Sequence, residues 1–346
     1  MQLFDKSKTR YLNLPSSEKN AVFAQGKPEI DRVQLRKLLL DKLPPDTIKW
    51  GFKFLSLTPT TSPGEISLQF EHGIEAGYDL IVGADGAFSK VRSALTDTKV
   101  EYSRIGGFTA SIFDAEAKYP AVYKLVRRGS VFAFGEGKEL IAQQMGDGRL
   151  SVTVWLRKDS SNWQQELGFD IHNGESVLQG LKEMFGGWDP ELLAILEAVD
   201  LGSIEARSLF HLPIGERWES KRGVTLIGDA AHLMTPFVGE GVNAAMRDSL
   251  DLAHHIIASI NQGQKKEEIL DGIGNSEEFM MKRVERVQRK TEDMKNLMLF
   301  TDGSPRSTIE RYILRSMSDE VNSLVLAVVK MAVYSYFFLF KLFHKR

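Results

Sequence analysis

The chain contains no cysteine. That excludes disulfides, thiolate metal sites and cysteine nucleophiles, and it fits a reducing, intracellular setting. A charge imbalance is missing too. Lys plus Arg number 44 and Asp plus Glu 46, a formal net charge of -2, so no nucleic-acid partner is expected. Histidines and carboxylates never fall at metal-ligand spacing, and no metal is expected. The opening "MQLFDKSKTRYLNL" holds no apolar run suited to a signal peptide. Finally, no strand runs into a GxGxxG loop and a helix, the usual cradle for a dinucleotide pyrophosphate. The one near match, Gly239 to Ala244, does not directly follow a strand.

What is present is ordinary for a globular protein: 346 residues, 42% hydrophobic and 26% charged. That length supports two domains, or one with a large insertion. "DRVQLRKLLLDKL" has helical spacing with Asp31 as its cap. "IKWGFKFLSLTPT" and "EISLQFEHG" read as a hairpin, and "QLFD", "RYLNL" and "AVFAQG" as short strands or loops. Between Val100 and Leu156 four segments alternate with period two, which predicts successive strands of an antiparallel sheet. "SVLQGLKEMFGGW" and "PELLAILEAV" are helical. "SEEFMMKRVERVQRKTEDMKNLMLF" predicts a long amphipathic helix with Met and Phe inward. An α/β framework interrupted by an antiparallel β insertion follows from this order.

Two clusters carry the chemistry. In "YDLIVGADGAFSKVRSAL" an apolar strand runs into Gly83, Asp85 and Gly86, at the place where α/β sheets bind ligands. In "GVTLIGDAAHLMTPFVGEGVNAAM" a strand from Val224 to Ile227 turns at Gly228. Asp229 can then accept bonds from two hydroxyls of a sugar or ribityl chain. Gly239 and Gly241 let the backbone approach a flat ligand, and the helix from Val242 onward presents its positive end.

These two motifs, in this order, resemble those of the flavin-dependent aromatic hydroxylases, the single-component FAD monooxygenases. "PEIDRVQLRKLLL" and "SKVRSALTDTKVE" resemble the tetracycline-inactivating and salicylate-hydroxylase-like branch. The resemblance runs roughly from Pro28 to Phe300. It implies a glutathione-reductase-like, Rossmann-type FAD-binding domain, incomplete at its N-terminal end, with an inserted antiparallel β substrate domain and a helical C-terminal region. The expected division is 1–100 and 211–300 for the FAD-binding domain, 101–210 for the substrate sheet and 301–346 for C-terminal helices.

The resemblance also implies roles. Asp229, after Gly228, would bind the ribityl chain. Asp85 and Gly86 would lie near the pyrophosphate and shape the approach of NAD(P)H. Arg36 would contact FAD. Gly239, Gly241, Val242 and Asn243 would present backbone groups to the isoalloxazine. Pro236 would sit beside the flavin ring where oxygen reacts, with His232 structural or a catalytic base. A C4a-hydroperoxide formed from NAD(P)H-reduced flavin and O2 would hydroxylate an aromatic or polyketide-like small molecule. Thr109, Ser130 and Ser151 fall near positions that grip substrate in that branch. They are small, so tetracycline itself is not the expected substrate. Phe108, Phe132, Phe134 and Met145 line an aromatic pocket or pack a core, with core packing preferred. Without the GxGxxG unit, the chain reads as a fragment of such an enzyme or as a truncated relative binding FAD weakly or not at all.

The segment from Leu324 to Phe343 is apolar and about 20 residues long, enough to span a bilayer. Lys330 interrupts it, sharing a flank with Lys341. A packed helix, a dimer contact, an interfacial helix and a span all remain open, so the chain is expected to be cytoplasmic or membrane-associated. Oligomeric state is left open.

Overall fold

The computed structural model describes residues 1–14, 30–59, 66–126, 129–319 and 321–344. The stretch read as "AVFAQG" lies outside them. The chain forms two compact units. The first comprises Met1–Leu43, Arg104–Leu209 and Met294–Arg346, and the second Pro44–Ser103 and Phe210–Asp293.

The first unit is built on β1 (Gln2–Asp5), β2 (Arg10–Asn13), β7 (Glu101–Ile112), β8 (Ser130–Gly135), β9 (Lys138–Gln144), β10 (Leu150–Arg157) and β11 (Glu205–His211), in the order β11-β7-β10-β9-β8-β1-β2. The four strands expected between Val100 and Leu156 pair antiparallel as β7-β10-β9-β8. Residues 1–43 were expected in the FAD-binding domain and belong here instead. The reason is backbone pairing: β1 joins β8 in parallel, Gln2 opposite Val131 and Asp5 opposite Phe134. Residues 294–346 likewise join this unit rather than standing apart. Its helices are α1 (Arg32–Leu40), α2 (Ala115–Lys118), α3 (Pro120–Val126), α4 (Gly174–Met184), α5 (Pro190–Glu197), α9 (Ile309–Met317) and α10 (Ser323–Phe343). Asp31 caps α1 as expected, accepting from the Val33 amide at 2.9 Å.

Period-two alternation sends one face of the sheet inward. Phe108, Val154, Leu140 and Ala133 lie opposite one another and are buried. Phe108 meets Trp163 edge-on at 5.5 Å, so it is a core residue. The close fit depends on a bare backbone at Gly107. A Cβ there would lie 1.9 Å from the Val154 carbonyl oxygen. Gly107→Ala should therefore cost about 1–3 kcal/mol, seen as a lower melting temperature. An unchanged melting temperature would mean that the β7–β10 pairing yields freely.

The second unit holds β3 (Phe54–Pro59), β4 (Ile66–Phe70) and β5 (Gly73–Glu75) in one sheet, and the parallel pair β6 (Ile81–Gly83) and β12 (Val224–Leu226) in another. The expected hairpin is β3–β4. Helices α6 (Asp229–His232), α7 (Gly241–Asn261) and most of α8 (Lys266–Leu299) complete it. Ile81, Val91, Val224, Leu226, Met280 and Val284 form its core. On α8 the inward methionines are as expected, but Phe279 points outward and is 59% exposed.

Candidate functional site

The site of the second unit is organised by one backbone turn. After β12, Gly228 takes φ 60° and ψ -144°, a region open essentially to glycine alone. The turn leaves the next side chain, Asp229, exposed, with no hydrogen-bond partner among the described residues, while Ala230 and Ala231 sink into the core. A carboxylate so placed can accept from two ligand hydroxyls.

Beneath the turn lies a buried ionic network that sequence reading missed. Asp248, 3% exposed on α7, accepts from the Gly228 amide at 2.9 Å and lies 2.6 Å from His232 Nε2. Its other oxygen accepts from Arg283 of α8 at 2.5 Å. Burial pushes the Asp248 carboxyl up, but the His232 ring, the Gly228 amide and Arg283 outweigh it and hold the carboxyl below its ordinary value. His232 is thus buried and paired with Asp248 through Nε2. A charged residue in the apolar face of α7 was the one available signal.

The first motif is tied to the second by Arg92. Its guanidinium, buried, donates to the Ala230 carbonyl at 2.9 Å and the Ala87 carbonyl at 2.7 Å. Asp85 accepts from the Lys90 amide at 2.7 Å and the Val91 amide at 3.3 Å. Its carboxylate is thereby engaged in shaping its own loop. Gly86, at φ 79°, has open space where a side chain would be.

Beyond α6, Pro236 begins a single 3-10 turn and is exposed. Gly239 closes that turn at φ 73°. Gly241 then opens the 21-residue α7, whose first turn receives no side-chain cap from Glu240. A Cβ at Gly239 or Gly241 would meet nothing within 4 Å. The amides of Gly241, Val242 and Asn243 stand in the first turn of this helix, at its positive end, where no intrahelical carbonyl can accept from them. An exposed carboxylate for hydroxyls and an uncapped helix start for a flat, electron-rich ring fit a flavin nucleotide.

Arg36 and the three small hydroxyls belong to the first unit. Arg36 is exposed on α1, a helix with no buried residue. Thr109, Ser130 and Ser151 share the sheet face opposite the core. Ser111, Ser151, Gln143 and Ser130 form one cross-strand row, and Thr109 and Thr153 lie in the next. Phe132 shares this face, whereas Phe134 is buried further along it. Arg149, also unforeseen, donates to Ser111 Oγ at 3.2 Å and to Asp31 at 3.3 Å, at the margin of this polar face.

The FAD binding domain family matches residues 205–287, the span that includes the Gly228–Asp229 turn. Over 291 residues the chain is 32% identical to monooxygenase asqM of Emericella nidulans, covering 72% of this chain and 66% of that protein. To monooxygenase penA of Penicillium thymicola it is 32% identical over 270 residues, covering 67% of this chain and 62% of penA. The chain thus spans a little under two thirds of either relative. Among solved structures, Klebsiella pneumoniae HpxO complexed with FAD and uric acid resembles it with a TM-score of 0.65 at 19% identity, over 88% of this chain and 72% of that one, a likeness of fold. With two monooxygenases at this identity, and an FAD-binding domain where the Asp229 turn lies, the chain belongs to the FAD-dependent aromatic hydroxylase family.

Proposed function

We propose that this protein is an FAD-dependent monooxygenase that uses NAD(P)H and O2 to hydroxylate an aromatic or polyketide-like small molecule. The observation that carries the reading is the pairing of an exposed Asp229 carboxylate with the uncapped start of α7. Bound FAD would supply hydride acceptance and oxygen activation. The chain's own groups hold and orient it. Asp229 accepts from ribityl hydroxyls, and the Gly241, Val242 and Asn243 amides offset negative charge on the reduced ring. Pro236 would lie beside the bound ring, and Gly86 would leave room for the pyrophosphate. Thr109, Ser130 and Ser151, on one sheet face, offer hydroxyls to a polar aromatic substrate. Secondary metabolism is the setting suggested by the two monooxygenase relatives. Contact with a membrane through residues 324–343 is part of the same reading, supported by one helix long and apolar enough to cross a bilayer.

Flavin fluorescence titration tests the cofactor site. Asp229→Ala should weaken FAD binding by at least about tenfold, since it removes charge-assisted bonds worth about 1.5–3 kcal/mol. An unchanged affinity removes Asp229 from the site. A second reading, a remnant with weak or no FAD binding, is favoured by the parallel sheet, which has only two strands among the described residues. Wild-type protein that purifies colourless and leaves flavin fluorescence unaltered would select it.

A further inference from the structure

The helix α10 is held to its unit along one side only. Phe337 is buried, with Tyr11 stacked at 6.5 Å, and the Phe340 ring lies 5.3 Å from Tyr11. Leu326, Val329 and Val333 continue that stripe at spacings of three and four and are half-buried. The C-terminal turn is fastened as well. Lys341 pairs with Glu310 at 2.7 and 2.9 Å. Arg306 donates to the Lys341 carbonyl at 2.7 Å and the His344 carbonyl at 3.0 Å.

The opposite side is apolar and bare. Leu324, Val328, Met331, Phe338 and Leu342 project from it, between 45% and 79% exposed, with Ser335 as the sole polar member. Only 6% of the helix's apolar stretch is buried. Charge selects the occupant. From Val321 onward the chain carries Lys330, Lys341, Lys345 and Arg346 and no acidic residue, in a protein of net charge -2; Lys341 is held by Glu310, so the attraction to a partner rests on the other three. A face of aliphatic and aromatic groups without an acid, on a segment whose every charge is positive, complements an anionic lipid surface.

We propose that α10 lies in the plane of an anionic membrane surface, outer face in the acyl boundary, inner face on its own unit. The inference rests on the membrane contact proposed above and is independent of the flavin reading. Spanning is disfavoured because it would strip the Phe337–Tyr11 packing and leave the Glu310 carboxylate, 8% exposed, without Lys341.

Co-sedimentation of the full chain with vesicles tests this. Phosphatidylserine-containing vesicles should retain the protein, and pure phosphatidylcholine vesicles should retain it about tenfold less. Carbonate at high pH should release it. The double variant Val328→Glu, Phe338→Glu should lose binding by about tenfold or more, with circular dichroism and melting temperature unchanged, because both side chains sit away from the Tyr11 contact. Binding to neither vesicle overturns membrane contact altogether, and a concentration-dependent dimer in that case assigns the face to a second copy of the chain. Binding that survives carbonate overturns the in-plane arrangement while keeping the membrane contact. Equal retention by both vesicles, or by the double variant, overturns the assigned chemistry or the assigned face.

Discussion

Replacing Asp248 by alanine should cost the second unit about 3–5 kcal/mol and take flavin affinity with it. The size of the effect comes from what is left behind. Two carboxylate oxygens serve the Gly228 amide, the His232 ring and the Arg283 guanidinium, and Asp248 itself is 3% exposed. Removing it strands a buried ring and a buried amide, and leaves the part-buried guanidinium only Asp251, 3.9 Å away. The amide belongs to Gly228, whose positive φ aims Asp229 outward. Loosening the turn therefore reaches the cofactor without touching it.

The same network sets a pH dependence with a definite sign. The folded carboxyl is held below its ordinary value, so its stabilisation is present above the unfolded value, about 3.9. It is lost as pH falls through the folded value. Urea midpoints of the wild type should fall steeply below about pH 4, and those of Asp248→Asn should fall less over that range. Parallel acid profiles for the two proteins, or a loss under about 1 kcal/mol for Asp248→Ala at pH 7, would show that the network is incidental.

That network marks the limit of what the sequence discloses. The Gly228 turn is legible because the backbone there admits glycine and the chain writes glycine, next to an acid at a strand's end. The β7–β10 face is legible because Phe108 and Thr109 point to opposite sides and the alternation repeats on each neighbouring strand. The network as a whole is not legible. Asp248 is one of three charged residues on α7, marked only by its place on the apolar face, and Arg283 is one among many on α8; only the packing of α7 and α8 brings them to the turn. Asp85 shows the converse: its position is read correctly as a loop acid, but its carboxylate is spent on the Lys90 and Val91 amides. The grouping of residues 1–43 with the sheet of β7 to β10 is not legible for a different reason. Four residues of β1 contain no signal for a parallel partner lying more than a hundred residues away. Pairing at such separation is settled by the closure of the whole sheet.

Glu139→Gln should stabilise the first unit, and more so as pH rises. Glu139 lies in the cross-strand row of Gly107, Trp155 and Phe134, two rows along the sheet face from Ser151. It is 2% exposed, and its Oε2 has no hydrogen-bond partner among the described residues. Burial alone pushes its carboxyl up to about 8. Tyr312 of α9 feels the same environment, its hydroxyl pushed up by burial and then by the nearby Glu139. The sign is opposite to that at Asp248. Below the unfolded value, about 4.3, both states hold the proton and stability is at its full value. As pH rises from there to about 8, the unfolded chain releases a proton that the folded chain keeps. Stability then falls by up to about 1.4 kcal/mol per pH unit across that window. Glutamine occupies nearly the same volume and cannot ionise, so the variant's urea midpoint should stay level where the wild type declines. The two proteins should be closest near pH 5 and furthest apart near pH 8. If the gap stays constant between those values, the carboxyl ionises in the folded state and solvent reaches it. If the wild type is the more stable at both, the carboxyl makes a bond that glutamine cannot reproduce, and the face between β9 and α9 holds a polar contact rather than a buried, protonated acid.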